Sequence, residues 1–230
     1  MNAVARWQPW LPWLAALSAG LTIASASGAL PAWLAFAFKP LTTLLVIAHA
    51  WPRGGYQPRQ RQWIRIGLLL SLLGDVFLLW PQQGFLPGLV SFLLAHLAYI
   101  AAFSVPLRFG AGRLPFALYA AIAALILLQL WPGIQFGLRV PVLAYVVCLA
   151  CMAAQAAAWW RASAGLPTEK LARSAALGGI LFMVSDSLLA FNKFAAPLPL
   201  SALWILLSYW LAQWCIANSL AAETATHSRA

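Results

Sequence analysis

Apolar residues run through this chain in stretches of about 20, the length that an α-helix needs to span the hydrocarbon core of a bilayer, and short polar or Pro/Gly breaks separate them. Eight such stretches are predicted, near residues 10–28, 31–51, 62–80, 87–107, 114–131, 138–160, 171–191 and 198–220. The connections are too short to hold a soluble domain. The pattern therefore predicts an all-α integral membrane bundle of eight transmembrane helices, with residues 1–230 forming a single transmembrane domain.

Composition supports that class, because 63% hydrophobic and 8% charged residues exclude an ordinary soluble domain of 230 residues. Many of the 13 Trp residues fall near the predicted helix ends, among them Trp10, Trp33, Trp51, Trp63, Trp80, Trp131, Trp159 and Trp160, as an interfacial aromatic belt requires. A net charge of +10 could indicate nucleic acid, but the basic residues alternate between loops and point to membrane orientation instead. Arg6, Arg53, Arg59, Arg61, Arg65, Arg108, Arg113, Arg161, Lys170, Arg173 and Arg229 fall on one side, against Arg139 and Lys193 on the other. Both termini are thus expected in the cytoplasm. The compact Ala/Leu/Trp/Arg-rich chain suggests a bacterial inner membrane, with membrane lipids as partners and no nucleic acid. Residues 1–28 have some features of a signal peptide, namely Arg6, an apolar run and the small residues 24–27, but the Pro and Trp content favours a retained helix. Cys148 and Cys151 form a C-x-x-C on an apolar helix with no further ligands. They and Cys215 read as small apolar filler.

Only four residues are acidic, and two of them, Asp75 and Asp186, lie inside apolar stretches. A carboxylate in a membrane helix costs about 2.5 kcal/mol or more and by default marks function. Counting about 1.5 Å per residue from the cytoplasmic side puts Asp75 and Asp186 each some 20 Å into a core of about 30 Å. Lys39 and His96, counted from the outer side, reach nearly the same level. A shared polar cavity is expected if the four helices are neighbours.

Gly67, Ser71 and Asp75 share a helical face, as do Gly178, Gly179, Phe182 and Asp186, and small residues favour close helix packing. Phe92, His96, Tyr99 and Phe103 form an aromatic face for which ordinary packing is the simplest account. His96 and Tyr99 nevertheless need polar partners in lipid. Lys39 either neutralises a carboxylate or binds an anionic phosphate. His49, at the cytoplasmic end of its stretch, reads as interfacial. His227 lies in the polar tail, and three His residues at separate depths do not make a zinc site, so neither a metal nor a cofactor is expected.

At these same positions the chain resembles the YhhN family of multi-span membrane proteins, which includes the lysoplasmalogenases. The matching motifs are Lys39-Pro40-Leu41, Leu73-Gly74-Asp75, His96-Leu97-Ala98-Tyr99, Ser185-Asp186 and Asn192-Lys193-Phe194, in order along nearly the whole chain. The resemblance implies hydrolysis of the vinyl ether bond of a lysophospholipid, with Asp75 and Asp186 as the catalytic pair. The chemistry is consistent with that: protonation of the vinyl carbon gives an oxocarbenium ion that water captures, which needs an acid, a base and no nucleophilic side chain. Two carboxylates in different environments can divide those roles, as in glycosidases. Asp75 is the preferred acid and Asp186 the preferred base, although the residues alone allow the reverse. Lys39, His96, Tyr99, Asn192 and Lys193 are expected to bind substrate. The main alternative is a proton-coupled transporter or exporter of a small amphipathic solute, since Asp, His and Lys also build proton relays.

Overall fold

In lipid no solvent satisfies backbone N–H and C=O groups, so each apolar stretch must close its own hydrogen bonds as a helix. A computed structural model of the protein describes residues 7–222. Among the described residues eight α-helices of sixteen residues or more follow one another: α1 (Leu11–Ala26), α2 (Trp33–Ala50), α3 (Pro58–Phe77), α4 (Phe85–Phe103), α5 (Arg113–Leu130), α6 (Arg139–Ala162), α7 (Glu169–Phe194) and α8 (Ser201–Ala217). Two single 3-10 turns, Trp131–Gly133 and Phe136–Leu138, connect α5 to α6. There is no strand among the described residues. Helices α2, α4, α5, α6 and α7 are long and apolar enough to cross a membrane, and the protein is an integral membrane protein. Helices α1 and α8 are apolar but shorter. Arg6, Arg229 and His227 lie outside the described residues.

The largest boundary differences are in α3, α4 and α8. Helix α3 starts at Pro58, four residues before the predicted stretch, because a proline suits the first helical position and the arginines that follow end the apolar run without ending the helix. Helix α4 stops at Phe103, and α8 begins only at Ser201. Hydropathy locates the lipid-facing part of a helix rather than its hydrogen-bonded ends.

Six helices close a ring in the order α2, α3, α4, α6, α7, α8 and back to α2. Helix α1 packs outside against α2 and α8, and α5 outside against α6 and α7. Small residues permit the close approaches. A side chain at Gly67 would put its Cβ 2.2 Å from the Tyr99 ring, and one at Gly179 would meet the Ala153 backbone at 2.9 Å. Hydroxyls then tie the helices together: Ser18 with Thr42 at 2.8 Å, Ser174 to the Cys215 carbonyl at 2.8 Å, and Ser185 to the Ile205 carbonyl at 3.0 Å.

Two expectations are corrected. Trp159 is not part of an interfacial belt but is buried, stacked on Phe103. His49 is buried between α2 and the end of α8, where it stacks on Trp214 and its Nε2 pairs with Asn218 Oδ1 at 3.1 Å.

Candidate active site

The ring brings the four helices of interest together around a cavity of about 350 Å³, lined from every helix except α1. Both Asp75 and Asp186 line it. Its remaining wall is largely apolar, including Leu89, Phe92, Leu127, Leu149, Met183 and Leu206.

Asp75 is fully enclosed and surrounded by donors from two other helices. From α2, Lys39 Nζ stands 3.8 Å from Oδ1 and the Thr43 hydroxyl donates to Oδ2 at 2.6 Å. From α8, the Tyr209 hydroxyl donates to Oδ2 at 2.7 Å. Behind these, the Trp210 indole donates to Thr43 Oγ1 at 3.2 Å, and the Gln213 amide donates to the Tyr209 oxygen at 3.3 Å. Tyr99 in turn donates to Gln213 Oε1 at 2.7 Å. Two hydroxyls and an ammonium directed at one carboxyl are the donor set that suits a carboxylate anion.

Asp186, on α7, is more open to the cavity, its side chain 14% exposed against 2% for Asp75. Its Oδ2 accepts a hydrogen bond from the Tyr145 hydroxyl of α6. His96 Nε2 lies 3.0 Å from that same hydroxyl and 3.7 Å from Asp186 Oδ2, while its Nδ1 has no protein partner. Each carboxyl thus meets a tyrosine hydroxyl that a further polar residue holds in place, Gln213 on one side and His96 on the other.

Lys39, Asn192 and Lys193 also line the cavity. Lys193 Nζ sits 4.0 Å above the Phe85 ring, and Asn192 Oδ1 accepts from the Leu198 amide at 2.9 Å, which fixes the turn after α7. His96 stands one residue behind the wall, reaching it through Tyr145, and Tyr99 stands two behind, reaching it through Gln213 and Tyr209. Thr43, Tyr145 and Tyr209 were not singled out from the sequence. A requirement that a buried carboxylate have nearby donors was the available signal, but it does not say which of many Tyr and Thr residues supplies them. No group of three or more His, Cys, Asp or Glu able to hold a metal occurs among the described residues.

Comparison with known proteins agrees with the motif resemblance. The chain is 35% identical over 166 residues to human Lysoplasmalogenase TMEM86A, an alignment covering 68% of this chain and 64% of that protein. It therefore spans a little under two thirds of that relative's length. It is 35% identical over 191 residues to human Lysoplasmalogenase TMEM86B, covering 81% of this chain and 75% of the relative, and 34% identical over 167 residues to a Lysoplasmalogenase of Mycobacterium bovis, covering 69% and 59%. No solved structure matches. The YhhN family model matches residues 34–220, which contain all the motifs and both carboxylates, and the chain belongs to the YhhN family.

Proposed function

We propose that the protein is a membrane-embedded, metal-independent lysoplasmalogenase that hydrolyses the vinyl ether bond of a lysoplasmalogen to a fatty aldehyde and a glycerophospho-base. The observation that carries this reading is that two carboxyls from different helices line one largely apolar cavity, each bonded to a tyrosine hydroxyl. The relatives' names favour the same reaction.

The donor set around Asp75 suits a general base, and the more open Asp186 suits the acid, the reverse of the preference drawn from the sequence. Asp186 gives a proton to the vinyl carbon distal to oxygen, and the electron pair of the double bond forms the new C–H bond, leaving an oxocarbenium ion. Asp75 takes a proton from water as its oxygen attacks that ion, giving a hemiacetal. Collapse breaks the bond to the glycerol oxygen, which takes up a proton, while the hemiacetal hydroxyl loses one and becomes the aldehyde. One water is consumed and both carboxyls return to their starting states. Lys39, Asn192 and Lys193 are the groups available to the glycerol and phosphate. His96 and Tyr99 act as positioning residues through Tyr145 and Tyr209.

The proposed topology is eight spans over a single domain, residues 1–230, with both termini in the cytoplasm of a bacterial inner membrane. The alternation of basic loops supports it.

The direct test is aldehyde release from a lysoplasmalogen by purified protein in chelator. Asp75→Asn and Asp186→Asn are each expected to lower kcat by about a thousand-fold, within the range for losing a general acid or base. A silent wild type, or two active variants, would leave the carboxyls to another task. Proton-driven solute flux in liposomes would then identify a transporter.

A further inference from the structure

Helix α5 lies outside the ring, and its packing leaves a second space. A groove of about 310 Å³ runs between α5 and α6, and no polar atom contributes to its surface. Ala123, Leu127 and Val146 line both this groove and the carboxylate cavity. Leu127 and Val146 are only half-buried, so what separates the two spaces at these positions is side chain rather than backbone, and such side chains change rotamer readily.

The combined length is informative. Leu130 lines the cavity and Phe116 the groove. The two stand fourteen positions apart on α5, a rise of about 21 Å, against about 15 Å for half of a hydrocarbon core, the depth that one lipid tail fills in its leaflet. Polarity is ordered along the same path. Lys193 and Asn192 stand at one end, the two carboxyls follow, and beyond Ala123 the surface is entirely apolar. A single-chain ether lipid has the same order of phosphate, ether bond and hydrocarbon.

We infer that the α5–α6 groove seats the distal part of the substrate's alkenyl chain, with Ala120 and Ala124 on α5 and Leu143 on α6 setting the chain length accepted. This rests on the lysoplasmalogenase reading and adds a binding subsite to it. Ala120 and Ala124 are small and exposed, so the groove stays open towards lipid and a tail can enter sideways. A larger side chain there closes the path without touching either carboxyl.

The test compares long-chain and short-chain lysoplasmalogens on the full-length protein in lipid nanodiscs. Ala124→Trp and, from the opposite wall, Leu143→Trp are expected to lower kcat/KM for the long-chain substrate at least about ten-fold, as excess volume in a packed site does. Short-chain turnover should stay within about two-fold, the usual limit for a surface substitution. Leu128→Trp, on the exposed face of α5, should leave both unchanged. Equal losses on both substrates, or no loss on either, overturn the subsite. A second readout does not depend on turnover. An alkyl lysophospholipid with a diazirine at its chain end should label the segments around Ala120 and Cys151, and Ala124→Trp should suppress that labelling. Labelling on α2 or α8 instead overturns the inference. A wild type that is labelled in the groove but releases no aldehyde refutes the hydrolase reading and leaves the lipid site standing.

Discussion

The strongest energetic coupling expected in this bundle is between Lys39 and Asp75, and it can be isolated. Their charged atoms are 3.8 Å apart, with side chains only 12% and 2% exposed, so water screens the pair weakly. At an effective dielectric constant near 20 that separation corresponds to an attraction of about 4 kcal/mol. Lys39→Met removes the cation and leaves Asp75 buried with two neutral donors, Thr43 and Tyr209. Asp75→Asn leaves an ammonium group with an amide in place of its carboxylate. Breaking a buried pair from either side costs about 3 kcal/mol or more, whereas replacing both charges together often costs little. The double variant should therefore fall about 4 kcal/mol short of the sum of the single losses. Equilibrium unfolding of the four proteins in mixed detergent micelles measures this without requiring that any of them be active. Additivity within about 0.5 kcal/mol would show that the two groups do not interact, and the account of Asp75 as a paired carboxylate would be wrong.

Two further outcomes follow from the geometry. Tyr145→Phe removes the hydroxyl between Asp186 and His96 while keeping the ring, and kcat for aldehyde release should fall about ten- to a hundred-fold with KM nearly unchanged, the size expected for a hydrogen bond to a charged group; a change confined to KM would make Tyr145 a substrate-binding group instead. Gly67→Ala forces a Cβ against a Tyr99 ring that is buried and held by Gln213, and should cost about 1–3 kcal/mol in unfolding experiments, whereas Gly20→Ala, with nothing within 4 Å, should cost nothing measurable.

Membrane helices and intramembrane carboxyls are legible in a sequence because each is a local violation or a local requirement. A stretch of about 20 apolar residues has few soluble uses, and an Asp inside one is expensive enough to need a reason. Those two facts located α1 to α8 to within a few residues and singled out Asp75, Asp186, Lys39 and His96. The same reasoning works only one residue at a time. Thr43 and Tyr209 are 32 and 134 positions from Asp75, and Tyr145 is 41 from Asp186. A Tyr or Thr in an apolar helix costs little, so nothing local distinguishes those three from the others.

Partner choice came from the ring closure, in which α8 returns against α2 and the first half of the chain meets the last. That closure put Lys39 beside Asp75 rather than beside Asp186, which counting depth could not decide because both acids lie at nearly one level. It also buried His49 and Trp159, whose positions near helix ends suggest an interface until a neighbouring helix covers them. Burial in lipid and the cost of charge are properties of one helix and its solvent, and sequence alone determines them. Which donor faces which carboxyl, and where the displaced helix α5 leaves a groove, depend on how helices far apart in the chain pack, and only the tertiary structure decides that.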